Sequence, residues 1–405
     1  MTKLRPVFII ALLLASTLQA QTWRAGNLRS DALVLPGKCA ATWYDPEAFV
    51  LPDGNIGFLA QGGQNNPCTA NVGLDSLFSG KYNASLSSWQ LPASGSCPTL
   101  VGRYSNFSCP GQEIFAPYQP LASPAIAKVG SRYYMAFSGG NADFRKGHIF
   151  WAISDDGVNW TPFAWDPKPA GYNWKPLVYP KYGDFCATFG VPQLTLTYDP
   201  STAYGPQGAF YLHFSYDHND PTKALDAYTF RFPYSNANPF GLGGGMQVCL
   251  NSGPRGTPCT WVNHSGAMVF DYDGQPADGS DPILHIFGGN GNNIGVGGGS
   301  IVWDPSHNYW LRFFTLFDGN VWWQSSTSLS SGIWSAPQIV DMASFHNQVK
   351  ALYPTYVQSE IYYGGLFWGS FKGRTGMWLF QPADFRGCSG SFSGLGIFVV
   401  ALNFN

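Results

Sequence analysis

The chain has 405 residues, with 22 basic and 24 acidic side chains and a formal net charge of −2, a balance that does not suit a polyanion binder and removes nucleic acid from the expected partners. Charged residues make up 11% and aromatics 16%, which excludes a disordered chain and provides for a large core. The 48 Gly and 30 Pro are spread along the chain, more breakers than a helical fold tolerates, so the composition predicts an all-β fold with many turns.

Lys3 and Arg5, the apolar run at 7–15 and the small residue Ala20 form the pattern of a secretory signal peptide over residues 1–20. That run is half the ~20 residues a membrane span needs. Later apolar runs are interrupted by Gly, Pro or polar residues. The expected mature chain, 21–405, is a single domain, secreted or periplasmic, monomeric and without a membrane partner. Its 8 cysteines fit an oxidising compartment and suggest disulfides. Cys249 and Cys259 flank a Gly/Pro-rich loop and are the easiest local bridge, followed by Cys97 with Cys109.

Short strands then recur in pairs. The first pair is 45–49 with 56–60, and the second is 123–127 with 133–138, followed by 149–154 and a turn at 155–160. A third pair is 191–195 with 210–214, a partial start lies at 264–270 with 283–287, and two more pairs follow at 300–303 with 309–313 and 353–357 with 362–368. Radially repeated four-stranded antiparallel sheets close into a β-propeller, whose buried blade faces account for the aromatic excess. Five complete units and one partial unit leave five or six blades.

The segment Tyr44-Asp45-Pro46-Glu47-Ala48-Phe49-Val50, the Ser123-Pro124 start followed by Tyr133-Tyr134-Met135, and Ser154-Asp155-Asp156-Gly157-Val158-Asn159-Trp160 together resemble the five-bladed propeller glycoside hydrolases of families 43, 32 and 117. The last segment is also similar to the Asp-box of sialidases, one residue short. The resemblance implies that Asp45 is the catalytic base or nucleophile, with a glycan as substrate or ligand. It also exposes a departure. Family 43 places an Asp before Pro on the third blade and a Glu on the fourth, whereas this chain has Val191-Pro192 and Asn263-His264-Ser265-Gly266.

Glycoside hydrolysis needs a second group to protonate the leaving oxygen. Family 117 enzymes use a His, which implies His264 as the acid, with an imidazole suited to proton donation near neutrality. Asp184 and Glu113 are fallback acids or pKa modulators. Glu47 lies two residues from Asp45, on the same side of a strand. Glu47, Glu113, Gln193 and the aromatic residues Trp43 and Tyr353, next to strand starts, are the expected substrate contacts. The turn at 155–160 reads as a fold stabiliser. His213, Asp217, His218 and Asp220 read as a surface loop rather than a metal site, and the glycines from Gly288 to Gly299 lack the Lys-Ser/Thr of a phosphate cradle. No cofactor is expected, with room left for a structural divalent cation such as calcium. Three functions remain open: a glycoside hydrolase, a glycan-binding or interaction propeller without its acid, and, more weakly, a sialidase.

Overall fold

The apolar runs stay continuous because each strand buries both of its faces. Tyr133, Met135 and Phe137 pack with Phe49 and Leu59 on one side, while Tyr134 and Ala136 pack with Leu194 and Phe210 on the other. Period-two alternation therefore separates two cores rather than core and solvent. The computed structural model describes residues 21–35, 43–62, 76–90, 121–139, 148–163, 178–180, 193–216, 226–237, 239, 245–250, 258–264, 268–270, 296–316, 320–357, 364–385 and 395–405.

Five sheets form the blades of a propeller, which settles the open blade count. From the channel outward, blade 1 holds Trp43–Val50, Ile56–Gly62, Ser76–Asn83 and Ser88–Gln90. Blade 2 holds Leu121–Val129, Arg132–Gly139 and His148–Ser154, with Thr161–Phe163 and Val178–Pro180 both pairing the third strand. Blade 3 runs through Gln193–Asp199, Ala209–Tyr216, Asp226–Pro233, Met246–Leu250 and Thr260–His264. Blade 4 holds Val296–Asp304, Tyr309–Leu316, Val321–Ser326 and Gln338–Ile339. In blade 5, Tyr356–Val357 and Gly365–Phe371 share the inner edge of Arg374–Phe385, followed by Leu395–Phe404 and the N-terminal strands Trp23–Ala25 and Leu33–Leu35. The two ends of the chain thus complete one blade. Asp31 secures this closure: it pairs with Lys372 at 2.8 Å and accepts the Tyr82 hydroxyl.

The first strands pack side by side in the closed order 1, 2, 3, 4, 5 and back to 1. They also run in the same direction, because Ser123 meets Asp45 and Lys128 meets Val50, equal steps along both strands. Thr195 with Gly299 and Thr197 with Ile301 repeat that register between blades 3 and 4. The channel therefore has a mouth where the first strands begin and another where they end. Asp45 and Val50 are roughly 16 Å apart along their strand, at ~3.3 Å per residue.

Two sequence expectations shift. The partial start at 264–270 opens no blade: Thr260–His264 is the outermost strand of blade 3, and Met268–Phe270 pairs in parallel with Val178–Pro180 of blade 2. In the fifth unit, the strand expected second is the first. Lys372 and Gly373, both with positive φ (52° and 75°), form the two-residue hairpin that joins it to its partner, as a type I′ turn requires. Among the described residues one α-helix, Ala343–Leu352, interrupts the strands and packs Phe345 and Val349, one turn apart, into the core between blades 4 and 5. The expected Cys249–Cys259 disulfide is present, with a Cα separation of 5.2 Å between the two outer strands of blade 3. The Cys97–Cys109 expectation lies outside the described residues.

Candidate active site

The beginning of the blade 1 first strand is bent by its own backbone. Asp45 has φ 43°, a left-handed conformation that few non-glycine residues adopt, and the pairing with the next strand shifts between Tyr44 and Glu47. Blade 2 repeats the device at Ser123, with φ 46° and a register shift between Ala122 and Ala125. Such strain costs about 1–3 kcal/mol and is held in place only by surrounding structure. Here it turns two side chains toward each other: the Ser123 hydroxyl donates to Asp45 Oδ2 at 2.8 Å, and Asp45 is 7% exposed.

Glu47 follows Asp45 on the same strand and reaches in another direction. The Ser300 hydroxyl of blade 4 donates to Glu47 Oε1 at 3.2 Å, while Ser300 Oγ accepts the backbone N–H of Leu366 in blade 5 at 2.9 Å. Blades 1 and 4 are not neighbours in the ring, so this contact passes over the first strand of blade 5. That strand comes close enough that a Cβ on Gly365 would lie 2.0 Å from the Pro46 carbonyl oxygen, which only glycine permits. Glu47 is half-buried as a residue, but its carboxyl is enclosed by these strands. Burial pushes its pKa well above the ordinary carboxylate value; the Ser300 hydrogen bond lowers it by less, and the negative charge of Asp45 adds a smaller rise. Two carboxyl groups on one strand thus occupy unlike surroundings, with Glu47 biased toward its neutral, proton-carrying form.

No protein-family model matches the chain, and no curated protein matches it. Solved structures do match. A thermostable family-43 glycoside hydrolase aligns over 91% of this chain and 92% of its own at 9% identity, with a TM-score of 0.50. A glycosyl hydrolase from Bacteroides ovatus aligns over 93% of each chain at 11% identity, also with a TM-score of 0.50. In fold, the chain is similar to five-bladed propeller glycoside hydrolases. At such identity the likeness covers the fold and assigns no residue a role.

The other residues singled out from the sequence separate. Trp43 is 3% exposed and packs edge-on against Phe78 in the core between blades 1 and 5, so its ring offers no open face for a sugar. Tyr353 follows the helix and packs against Phe398, in the third strand of blade 5. His264 is corrected: its backbone ends the fifth strand of blade 3, four strand spacings and roughly 19 Å from the first strand, at ~4.8 Å each, rather than opening a blade at the channel. An apolar run after His264 imitates a blade start, but its partner is the outer edge of blade 2. Gln193 opens the first strand of blade 3, paired with Ser215. Asp184 and Glu113 lie outside the described residues.

Ser123 and Ser300 are the partners that the sequence reading did not assign. The Ser123-Pro124 echo of Asp45-Pro46 was the available signal for the first; nothing local marked the second. The turn at 155–160 has the structural role expected of it. Asp156 Oδ1 accepts the backbone N–H groups of Val158 and Asn159 at 2.8 and 2.7 Å, and Trp160 is buried edge-on to Phe49. His213 faces inward rather than into a surface loop: its Nδ1 lies 2.5 Å from Thr229 Oγ1, and burial, with the Arg312 charge adding to it, holds its pKa well below the usual histidine value. A neighbouring guanidinium is unfavourable for a metal ligand. Among the described residues no group of three or more His, Cys, Asp or Glu could hold a metal ion.

Proposed function

We propose that the chain is an exported glycoside hydrolase that cleaves a polysaccharide or oligosaccharide at the Asp45–Glu47 mouth of the channel. The observation that carries this reading is the pair of carboxyl groups in unlike surroundings on the first strand of blade 1. Hydrolysis of a glycosidic bond asks for that division: one group must arrive protonated and deliver its proton to the leaving oxygen, and the other must be anionic to activate water or attack the anomeric carbon. Glu47 suits the first role and Asp45 the second, which moves the acid from His264 to a residue first read as a substrate contact. The glycoside hydrolase fold is consistent with a carbohydrate substrate, and the Cys249–Cys259 bridge with an oxidising compartment.

A second reading, binding without turnover, draws on the fact that both carboxyl groups also tie blades together, Asp45 through Ser123 and Glu47 through Ser300. A hydrolysis screen over plant and algal polysaccharides, with the wild type beside Asp45→Asn and Glu47→Gln, separates the two. The hydrolase reading expects reducing ends to be released by the wild type and the rate to fall about 10²–10⁴-fold in Asp45→Asn. Glycan binding with no release of reducing ends supports the second reading, and a fully active Asp45→Asn removes the mechanism.

A further inference from the structure

At the end of the ring where the first strands finish, a cavity of about 850 Å³ lies between blades 2, 3 and 4. This is within the size range of small-molecule sites, about 300–1,000 Å³. It lies beyond the Glu47–Ser300 contact from Asp45, since Lys128, Asp199 and Trp303 of its wall stand at the ends of their strands while Asp45 and Ser123 stand at the beginnings.

Its wall combines an aromatic platform with unengaged polar groups. Trp303 is half-buried and braced edge-on by the buried Trp310, with ring centroids 5.3 Å apart. Asp199 is 8% exposed, and its Oδ1 accepts the Ser201 backbone N–H at 2.9 Å. Among the described residues its second oxygen, like the hydroxyls of Ser201, Thr327 and Ser328, takes part in no hydrogen bond. Among the described residues of the wall the one ammonium, that of Lys128, donates to the Val50 carbonyl at 3.2 Å and lies 5.0 Å from the centre of the Tyr133 ring.

We propose that this cavity is a second, non-catalytic site for a neutral sugar ring of an oligosaccharide. The apolar face of a pyranose fits the indole of Trp303, and its hydroxyls can donate to the carboxylate of Asp199 and exchange hydrogen bonds with the rim hydroxyls. Among the described residues of the wall Asp199 and Lys128 cancel in charge, which favours neither an anion nor a cation. A phosphate-bearing ligand would find no free cation among the described residues of that wall. A purely apolar ligand would strip water from Asp199 without replacing its hydrogen bonds, an expensive exchange. The site needs no turnover at the Asp45 mouth, so it stands apart from the hydrolase reading.

The test measures binding of xylohexaose, arabinohexaose, cellohexaose and laminarihexaose by saturation-transfer NMR and calorimetry, in a background carrying Asp45→Asn so that no substrate is consumed. At least one hexasaccharide is expected to bind, and Trp303→Ala or Asp199→Asn added to that background should weaken it by at least tenfold. Ser201→Trp, at an exposed rim position, blocks the cavity while leaving the Ser201 backbone N–H in place, and it decides the matter if Trp303→Ala disturbs folding. Binding unchanged by Ser201→Trp, or binding by the wild type that disappears in Asp45→Asn, overturns the proposal, and so does a failure of all four sugars to bind. Hydrolysis, scored separately on the wild type, is the measure of the reading at the Asp45 mouth.

Discussion

Asp45 and Ser123 hold the same place in consecutive blades. Each precedes a proline, each has a positive φ at a shifted register, and the two side chains are joined at 2.8 Å. The repeated bend therefore creates a contact that neither blade makes alone. Ser123→Ala removes a hydrogen bond to a buried carboxyl group and should cost about 1.5–3 kcal/mol of stability. Ser123→Gly removes the same bond but relieves the left-handed backbone, so it should be the less damaging of the two. Urea unfolding of both variants checks the order; an equal loss in both would mean that the bend carries no strain.

Glu47 gives the protein a pH dependence of definite sign. Its folded pKa is raised, mainly by burial, above the value of about 4.3 expected in the unfolded chain. Between those two values the folded state holds a proton that the unfolded state has released, so this contribution to stability is fully present below about pH 4.3 and is lost as pH rises through the folded pKa. Glu47→Gln cannot ionise, and its unfolding free energy relative to the wild type should improve as pH rises over that window. The measurement is a series of denaturant melts from pH 4 upward. A difference that is flat with pH would show that Glu47 is charged in the folded protein.

His346 acts in the opposite direction. Burial lowers its pKa to about 4, and its Nδ1 lies 2.6 Å from the Tyr356 hydroxyl beneath the helix. The unfolded chain takes up a proton near pH 6.5 and the folded chain resists until about 4, so stability is lost as pH falls across that interval, on the order of 2–3 kcal/mol in all. His346→Gln keeps a polar partner for Tyr356 and should flatten the decline between pH 6.5 and 4. An unchanged acid slope in the variant would count against a neutral, buried His346.

How far the sequence disclosed this architecture depended on distance along the chain. Blades 1 to 4 were legible because each first strand is an apolar run that meets its partner across a turn, as at Lys128-Val129-Gly130 in blade 2. Blade 5 was misread by one strand, and its closure by Trp23–Ala25 on Leu395–Phe404 carries no local mark because the partners lie at opposite ends of the chain. The site divided in the same way. Asp45 was visible in the Asp-Pro pattern, but the altered state of Glu47 depends on Ser300, 253 residues away, and on a strand crossing that only the closed ring creates. His264 attracted the acid role because the apolar residues after it imitate a blade start.

The turn after the third strand of blade 2 should fail on loss of one carboxylate. Asp156 is solvent-facing; partial burial alone would raise its pKa, but hydrogen bonds from the Asn159 and Val158 backbone and from the Asn159 and Ser154 side chains outweigh this and leave it lowered. The stability it contributes is present above its unfolded pKa and is lost as pH falls through the folded one. Asp156→Ala should destabilise the protein by about 1–2 kcal/mol at neutral pH, a figure set by net hydrogen-bond values. The loss should shrink in acid, and thermal melts at pH 7 and 3 test that convergence.

The disulfide of blade 3 and a glycine of blade 4 should behave as one unit. Gly332 ends the short 3-10 turn Leu329–Ser331 with φ 66°, and a Cβ placed on it would lie 2.1 Å from Cys259 Sγ. The Cys259 backbone N–H donates to the Ser331 carbonyl at 2.9 Å, so the two blades are joined at this point. Replacing Cys249 and Cys259 together by Ser should cost about 2–4 kcal/mol. Gly332→Ala faces both the left-handed backbone and the sulfur, and with the disulfide intact it should be destabilised by more than the 1–2 kcal/mol of the backbone conformation alone. In the double-Ser background the smaller oxygen at position 259 relieves part of the clash, so the penalty of Gly332→Ala should fall. A double-mutant cycle in urea measures that coupling; strictly additive losses would show that Gly332 is required only for its backbone angle.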